Sequence, residues 1–288
     1  MSNRAQTVAV VGGGTMGVGI VYVFAAAGFD VRLVEPDHAQ AASVRTTLAD
    51  VASNGVKRGK LSAAQAKQVT ESVQGCAAIV ELPMDMDWAI ETVPERLDLK
   101  QQVLTEIASR SPRIIATNTS ALSIDTLARS VRDPATFLGM HFFNPVWSLP
   151  LVELVRGQKT SAATLARAKE FAETAGKTTI IVGDGPGFAT SRLDMIAALE
   201  AIRMLEDGVA SAEDIDRAMV VGYRHPIGPL RLSDVVGLDV RLDIARGLSA
   251  TLGERYAPPR LLEEMVARGH LGQKSGRGFF DWPRTEVL

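Results

Sequence analysis

The sequence predicts two domains: an α/β domain with a mainly parallel sheet over residues 1–183, and an all-helical domain over residues 184–288. Two observations support this. Short apolar runs alternate with helical patterns up to about residue 183. Strand-like alternation then stops at the glycine-rich segment 183–187, and the later patterns are helical. Because alternating strands and helices build parallel sheets with helices on both faces, we expect that architecture for the first domain.

The individual elements follow from runs of apolar and β-branched residues for strands and from helical spacing for helices. Beyond the first two strands, the strand candidates are residues 69–73, 88–92, 114–118, 137–143, 151–156 and 178–182. The helix candidates are a polar stretch across residues 37–68 and, in the second domain, residues 188–207, 211–220, 239–252 and 259–267.

Composition places the chain among ordinary globular proteins. It has 288 residues, of which 46% are apolar and 22% are charged, which is typical of such proteins. A net charge of −2 gives no electrostatic reason to expect nucleic acid or an anionic membrane as a partner. Residues 1–6 are too short and polar for a signal peptide, and no apolar stretch approaches the ~20 residues of a membrane span. We expect a cytoplasmic protein without a membrane partner.

The one cysteine, Cys76, rules out an internal disulfide. No histidine lies near it in sequence, so an inert thiol is the favoured interpretation over a catalytic one. We expect no metal site.

A glycine-rich turn carries the most specific information in the chain. Residues 12–17 read Gly-Gly-Gly-Thr-Met-Gly, after a β-branched strand run at 7–11 and before an apolar helical run. In this context the first motif glycine permits a tight turn, the second lets backbone approach a pyrophosphate, and the third lets the helix pack on the strand. The free N–H groups at the helix start bind phosphates. The predicted cofactor contacts are Gly12, Gly14, Thr15, Met16 and Gly17.

Glu35 indicates which dinucleotide binds. It ends the second apolar strand, 21 residues after Gly14, close to the ~20 expected of a ribose ligand in a Rossmann-like domain. A carboxylate there accepts hydrogen bonds from a free ribose diol and repels a 2′-phosphate, so NAD is favoured over NADP. FAD proteins share the glycine fingerprint, and the motif alone leaves that alternative open.

His141 and Glu153 are the candidate catalytic pair. His141 ends one apolar strand run, and Glu153 lies twelve residues later within another. A buried glutamate is costly unless it is paired, and the short connection through Pro145 and Pro150 can bring the two side chains together. A carboxylate bonded to imidazole fixes its tautomer and stabilises its protonated form, as a general base requires. The alternative is a hydrogen-bonded core histidine.

Several motifs together resemble one family. Besides the glycine turn and the acid of strand two, they are Asn118-Thr119-Ser120, His141-Phe142-Phe143-Asn144-Pro145, Pro186-Gly187-Phe188 and Gly276-Arg277-Gly278-Phe279. These resemble the L-3-hydroxyacyl-CoA dehydrogenase family over nearly the whole chain, in its short bacterial 3-hydroxybutyryl-CoA dehydrogenase type. The resemblance implies a Rossmann-like NAD-binding domain, a helical domain that forms a homodimer and part of the substrate cleft, and reversible NAD-dependent oxidation of an L-3-hydroxyacyl-CoA to the 3-ketoacyl-CoA.

The resemblance also implies roles for individual residues. His141 matches the catalytic base and Glu153 its orienting acid, while Ser120 and Asn144 match positions that contact substrate and nicotinamide. Further cofactor contacts are implied at Glu95, Lys100, Asn118 and Lys274. Without the resemblance, Glu95, Lys100 and Lys274 would be interpreted as ordinary surface charges.

Two departures from the family pattern concern the substrate. Ser191 stands where the family usually has asparagine shortly after Pro-Gly-Phe, which bears on rate or acyl specificity rather than on the reaction class. The family's CoA-phosphate lysine falls near Asn54, so Lys57, Arg58 or Lys60 is expected to substitute for it. The alternative is that this basic segment is only a solvated helix end.

Two other functions stay open at this stage. The first is oxidation of a free hydroxy acid, as in the gulonate dehydrogenase branch that shares many of these motifs. The second is a non-catalytic NAD-binding protein similar to the lens λ-crystallins, against which the intact His141, Glu153 and Ser120 argue. The homodimer is expected mainly from the family resemblance. The apolar positions of the first helix of the second domain are expected to add to it, or else to form the core of that domain: Met195, Ile196, Leu199, Ile202 and Leu205.

Overall fold

The computed structural model describes residues 5–282, which form two compact units that meet in sequence between Phe188 and Ala189. The strands of the first unit are Thr7–Val11 (β1), Asp30–Val34 (β2), Val73–Cys76 (β3), Trp88–Glu91 (β4), Ile114–Thr117 (β5), Phe137–Phe142 (β6), Leu151–Arg156 (β7) and Thr178–Gly183 (β8). Its helices are Thr15–Ala26 (α1), His38–Lys57 (α2), Ala63–Glu71 (α3), Leu97–Ala108 (α4), Ile124–Leu127 (α5) and Ala162–Thr174 (α6).

Within the described residues, the strands form one eight-stranded sheet in the order β3-β2-β1-β4-β5-β6-β7-β8. Neighbouring strands run parallel except β6 and β7, which pair antiparallel. The predicted mainly parallel α/β sheet is therefore confirmed. Because the chain leaves β1 for β2 on one side and β4 lies on the other, the strand order reverses beside β1, where open α/β sheets form a ligand crevice.

One strand prediction was wrong. Residues 69–73 were expected to be a strand, but Val69 is a buried residue of α3, and β3 begins only at Val73. Ser62 starts α3 with a capping box to Gln65, a local signal that carries the helix through Val69. The strand itself, Val-Gln-Gly-Cys, lies at the edge of the sheet and lacks the apolar run of the central strands.

Alternating side chains of the strands fill a core on each face of the sheet. In β1, Val8 and Val10 pack into one hydrophobic cluster, and Ala9 and Val11 pack into the other. The first cluster contains a stack of three aromatic rings, with ring centroids 4.2 Å apart for Phe24 and Phe171 and 4.0 Å apart for Trp88 and Phe171. Packing on both faces fixes the strands whose carboxyl ends form the site.

The second unit is helical, as predicted, with a small antiparallel bridge between Gly272 and Arg277 near its end. Its helices are Thr190–Glu206 (α7), Ala212–Arg217 (α8), Pro229–Val236 (α9), Leu238–Leu252 (α10) and Arg260–Ala267 (α11). Buried Asp234 ties the terminal turn to α9, because its carboxylate accepts hydrogen bonds from Phe279 N, Phe280 N and Trp282 Nε1.

The apolar positions of α7 lie in the core of the second unit. Met195, Leu199 and Ile202 are buried there, and Ile196 and Leu205 pack against the same cluster. Of the two alternatives for these residues, the core is therefore the correct one, and they give no support to a dimer surface. No helix within residues 5–282 combines the length and the apolar character that crossing a bilayer requires.

Candidate active site

A cleft of about 1040 Å³ opens at the carboxyl ends of the central strands of the first unit. It is bounded by the glycine turn, the end of β2, and the segments that follow β4, β5 and β6. The sequence-predicted residues among those that line it are Gly12, Gly14, Thr15, Met16, Glu35, Glu95, Asn118, Ser120, His141 and Asn144. The fold thus brings residues that are up to 132 positions apart in sequence, from Gly12 to Asn144, to the walls of one cavity.

The glycine turn has the geometry that its motif predicts. Gly12 adopts φ +112°, which L side chains rarely reach. A Cβ on Gly17 would lie 1.9 Å from the carbonyl oxygen of Gly12, so only glycine lets α1 pack this closely. A Cβ on Gly14 would meet nothing within 4 Å. That open space, at the start of α1, is the approach that a pyrophosphate needs, so the residues present fit a dinucleotide.

Glu35 lies beside this turn. Its Oε2 accepts a hydrogen bond from Gly13 N at 2.8 Å, and its Oε1 accepts one from Asp37 N at 3.0 Å. Gln40 completes the contact from α2, since its Nε2 donates to the carbonyl oxygen of Gly13 at 2.6 Å. A carboxylate has about four acceptor positions, so lone pairs are left for ribose hydroxyls. Sequence reasoning missed Gln40, which lies on a polar helix without a motif.

His141 and Glu153 are in contact. Imidazole Nδ1 lies 2.7 Å from Glu153 Oε2, and Glu153 is fully buried while His141 is 6% exposed. Since the carboxylate accepts a hydrogen bond from Nδ1–H, the neutral ring carries its lone pair on Nε2. A second restraint is aromatic, because the His141 ring centroid lies 4.4 Å from that of Phe143 and 5.8 Å from that of Phe188. An imidazole held in this way can accept a proton at Nε2.

Asn118, Glu95 and Ser120 lie on the segments beside His141. Asn118 Oδ1 accepts a hydrogen bond from Phe142 N at 2.9 Å, which ties the end of β5 to the residue after His141. Glu95 Oε1 accepts hydrogen bonds from Ser120 N and Ala121 N, each at 3.0 Å, and from the Thr119 hydroxyl. Burial raises the pKa of Glu95, but the hydrogen bond from Thr119 and the charge of Lys100 outweigh it, and the net pKa is lowered.

Lys100 is not a surface charge, since its side chain is 1% exposed. Its Nζ lies 2.8 Å from Glu91 Oε1, 3.0 Å from the carbonyl oxygen of Val93 and 3.3 Å from Glu95 Oε2. Glu91, the last residue of β4, was missed by sequence reasoning. Glu91, like Glu153, is a carboxylate within an apolar run, and this shared sequence pattern would have identified it.

Within the first unit, Lys57 and Lys60 are not among the residues that line the cleft. Lys57 ends α2 and is exposed, and Lys60 lines a separate cavity of about 760 Å³ together with Asn54, Arg58 and Lys177. In the second unit, Ser191 lies in the first turn of α7. Lys274, also in that unit, lies 2.6 Å through its Nζ from Asp239 Oδ2.

Both units match models of one protein family. Residues 7–185 match the model of the 3-hydroxyacyl-CoA dehydrogenase NAD-binding domain, and residues 187–282 match the model of the 3-hydroxyacyl-CoA dehydrogenase C-terminal domain. The chain belongs to the 3-hydroxyacyl-CoA dehydrogenase family. It is accordingly an oxidoreductase that uses NAD, and the fold, family and cofactor expected from the sequence are confirmed.

Individual relatives match along their whole length. A 3-hydroxybutyryl-CoA dehydrogenase from Mycobacterium tuberculosis is 40% identical, covering 98% of this chain and 100% of that protein. One from Clostridioides difficile is 38% identical, covering 95% and 98%. The crystal structure of the (S)-3-hydroxybutyryl-CoA dehydrogenase from Ralstonia eutropha has a TM-score of 0.92 and 38% identity, covering 98% of this chain and 100% of that one.

Proposed function

We propose that the protein reversibly oxidises an L-3-hydroxyacyl-CoA of the 3-hydroxybutyryl type to the 3-ketoacyl-CoA, with His141 as the general base. The observation that carries this proposal is the 2.7 Å contact between His141 Nδ1 and Glu153 Oε2, together with the cleft that His141 and the glycine turn both line. A base oriented beside a dinucleotide site is what the proposed reaction needs. The names of the full-length relatives support the acyl-CoA substrate.

When bound, NAD supplies the nicotinamide C4 that accepts the hydride from C3 of the substrate. His141 Nε2 takes the proton of the 3-hydroxyl, so the substrate loses one proton from its oxygen and one hydride from C3, and the C3–O single bond becomes the carbonyl bond of the ketone. Glu153 stabilises the imidazolium that forms, and Ser120 and Asn144 position the substrate oxygen and the thioester. Holding these groups in register lowers the entropic cost of the reaction. In the reverse direction the protonated His141 donates to the carbonyl oxygen.

Roles that rest on the family pattern are part of the same proposal. Glu35 holds the ribose diol, and Glu95 and Lys274 contribute to cofactor binding. Lys100 is buried and contributes through its ion pair with Glu95 rather than by direct contact. Ser191 takes the place of the usual asparagine toward the substrate. The basic segment at Lys57–Lys60 holds CoA phosphates, which favours thioesters over free acids.

We also propose a homodimer formed through the helical unit. In that unit, large apolar side chains other than those of the α7 core are exposed, namely Leu193, Val209, Val220, Val221, Tyr223, Val235, Val236 and Val240. An apolar surface of this kind is commonly covered by a partner.

The deciding experiment measures NADH formation with 3-hydroxybutyryl-CoA and with L-gulonate. The proposal expects turnover of the thioester and little with the free acid, and His141→Gln serves as the inactive control. Preferential use of L-gulonate would assign the chain to a free-acid dehydrogenase. Binding of NADH without turnover of either compound would indicate a non-catalytic NAD-binding protein.

A further inference from the structure

Glu91 is a fully buried carboxylate that has no role in the proposed mechanism. Glu91 is 0% exposed and ends β4, between β1 and β5 at the centre of the sheet. Its oxygens accept hydrogen bonds from Val93 N at 2.6 Å, from Thr117 Oγ1 at 2.6 Å and from Lys100 Nζ at 2.8 and 3.0 Å. Burying an ion pair costs several kcal/mol per ion before its attraction is counted, so packing alone does not explain the pair.

The ammonium group of Lys100 links Glu91 to the cleft. An ammonium has three donors, and Lys100 Nζ donates to both oxygens of Glu91 and to the Val93 carbonyl. The same ammonium group lies 3.3 Å from Glu95 Oε2, so it attracts Glu95 as an ion pair. Glu91 in turn fixes where the ammonium group lies.

Glu95 carries the arrangement to the cleft surface. Its other oxygen, Oε1, accepts from Ser120 N and Ala121 N at 3.0 Å, so the backbone of the segment after β5 is held by the same carboxylate. Ser120, Glu95 and His141 all line the cleft. A continuous chain of charge-assisted contacts therefore runs from the sheet interior through Lys100 and Glu95 to Ser120.

We infer that Glu91 is a positioning residue for the proposed reaction: through Lys100 and Glu95 it sets the position of Ser120 and of the cofactor-facing edge of the cleft. The inference rests on the proposed function for its effect on turnover, but its effect on cofactor binding is independent of the acyl substrate. Loss of the Glu91 charge leaves Lys100 to draw Glu95 away from Ser120, since the ammonium group keeps only one carboxylate partner.

The first test compares Glu91→Gln with Glu91→Asp and with Asp216→Asn. Asp216 is a matched control because it is a buried carboxylate of the second unit that accepts from Leu230 N and Arg231 N, each at 2.9 Å. We expect Glu91→Gln to weaken NADH binding, measured by fluorescence titration, and to lower kcat/KM with acetoacetyl-CoA by about 10- to 100-fold. Glu91→Asp keeps the negative charge, so it should recover part of the NADH affinity and part of the kcat/KM. Asp216→Asn should lower only the melting temperature.

The second test separates positioning from stability. Replacing the buried pair by apolar residues in Glu91→Leu combined with Lys100→Met should recover the melting temperature, since such replacements are often neutral or stabilising. NADH affinity should stay low, because Glu95 has lost its ammonium partner. Recovery of stability and affinity together would overturn the inference, as would a Glu91→Gln variant that melts earlier but binds NADH like the wild type.

The last test is a double-mutant cycle on NADH affinity with Glu91→Gln and Glu95→Gln. Action through Glu95 predicts that the second substitution adds little to the first, whereas independent effects would multiply and contradict the inference. If wild-type protein binds NADH but turns over no 3-ketoacyl-CoA, the proposed function fails while this cycle still decides the role of Glu91.

Discussion

His141 and Glu153 are register partners on β6 and β7, the two strands that pair antiparallel in this sheet. Directly opposite residues on an antiparallel pair project their side chains to the same face, and here the Nδ1–Oε2 distance is 2.7 Å. Since neighbouring main-chain hydrogen bonds hold both residues, the imidazole is oriented by the sheet itself rather than by a mobile loop.

The first prediction concerns this pair. His141→Gln should lower kcat by at least the ~10²–10⁴-fold that general-base catalysis contributes, while NADH binding stays nearly unchanged. Glu153→Gln keeps the size of the side chain but removes the charge that stabilises the imidazolium, so kcat should also fall. A double-mutant cycle on kcat should show that Glu153→Gln costs less once His141 is gone. If the two losses multiply, and Glu153→Gln lowers the melting temperature more than turnover, Glu153 is only a structural acid.

The second prediction concerns cofactor choice. Glu35 should make kcat/KM with NAD much higher than with NADP, because its carboxylate lies beside Gly13 and repels a 2′-phosphate. Glu35→Ala should narrow this difference, since it removes both the repulsion and the contact with the diol. Glu71→Ala, at an exposed glutamate of α3, is the control and should leave the ratio unchanged. Equal or better use of NADP by the wild type would refute the assignment.

The third prediction concerns pH. The folded pKa of Glu95 is lowered: burial raises it, but the Thr119 hydrogen bond and the Lys100 charge outweigh burial. A depressed carboxyl pKa contributes stability above the unfolded value, about 4.3 for glutamate, that is lost as pH falls through the folded value. The melting temperature of the wild type should therefore exceed that of Glu95→Gln at neutral pH, and the difference should shrink in acid. A difference that persists below both pKa values would contradict this explanation.

The fourth prediction concerns assembly. Sedimentation at micromolar concentration should show a homodimer, because the helical unit exposes apolar side chains such as Val221, which is 72% exposed. Val221→Lys should weaken the dimer by placing a charge on that surface. Val80→Lys is the matched control, since Val80 is 71% exposed in the first unit. A monomeric wild type would refute the prediction, and equal effects of both variants would place the interface elsewhere.

The sequence alone determined the features whose physics is local. The first strand, the glycine turn and the first helix follow one another in sequence, so their geometry can be predicted locally. Gly12 is needed for its positive φ, and Gly17 for the close approach of the helix to the turn, and few other residues allow either. The position of Glu35 relative to the glycine turn is set by the length of one helix and one strand, α1 and β2. Strands and helices with strong periodicity were identified for the same reason. The exception is β3, a short edge strand without an apolar run: the predicted strand began at Val69, which belongs to α3.

Tertiary structure decided the contacts that join separate strand ends. Whether His141 meets Glu153 depends on a register that a shift of one residue would reverse, since successive side chains point to opposite faces. Lys100 carries no sign of burial in its own sequence, and only the packing of α4 beside the end of β4 brings its ammonium group to Glu91, the Val93 carbonyl and Glu95. Likewise Met195 and Leu199 have the same helical spacing whether they pack in a core or at an interface, and the folded unit assigns them to its core. A carboxylate or an apolar side chain has its energetic role set by the groups around it, and for Glu91 those groups come from three segments of the chain.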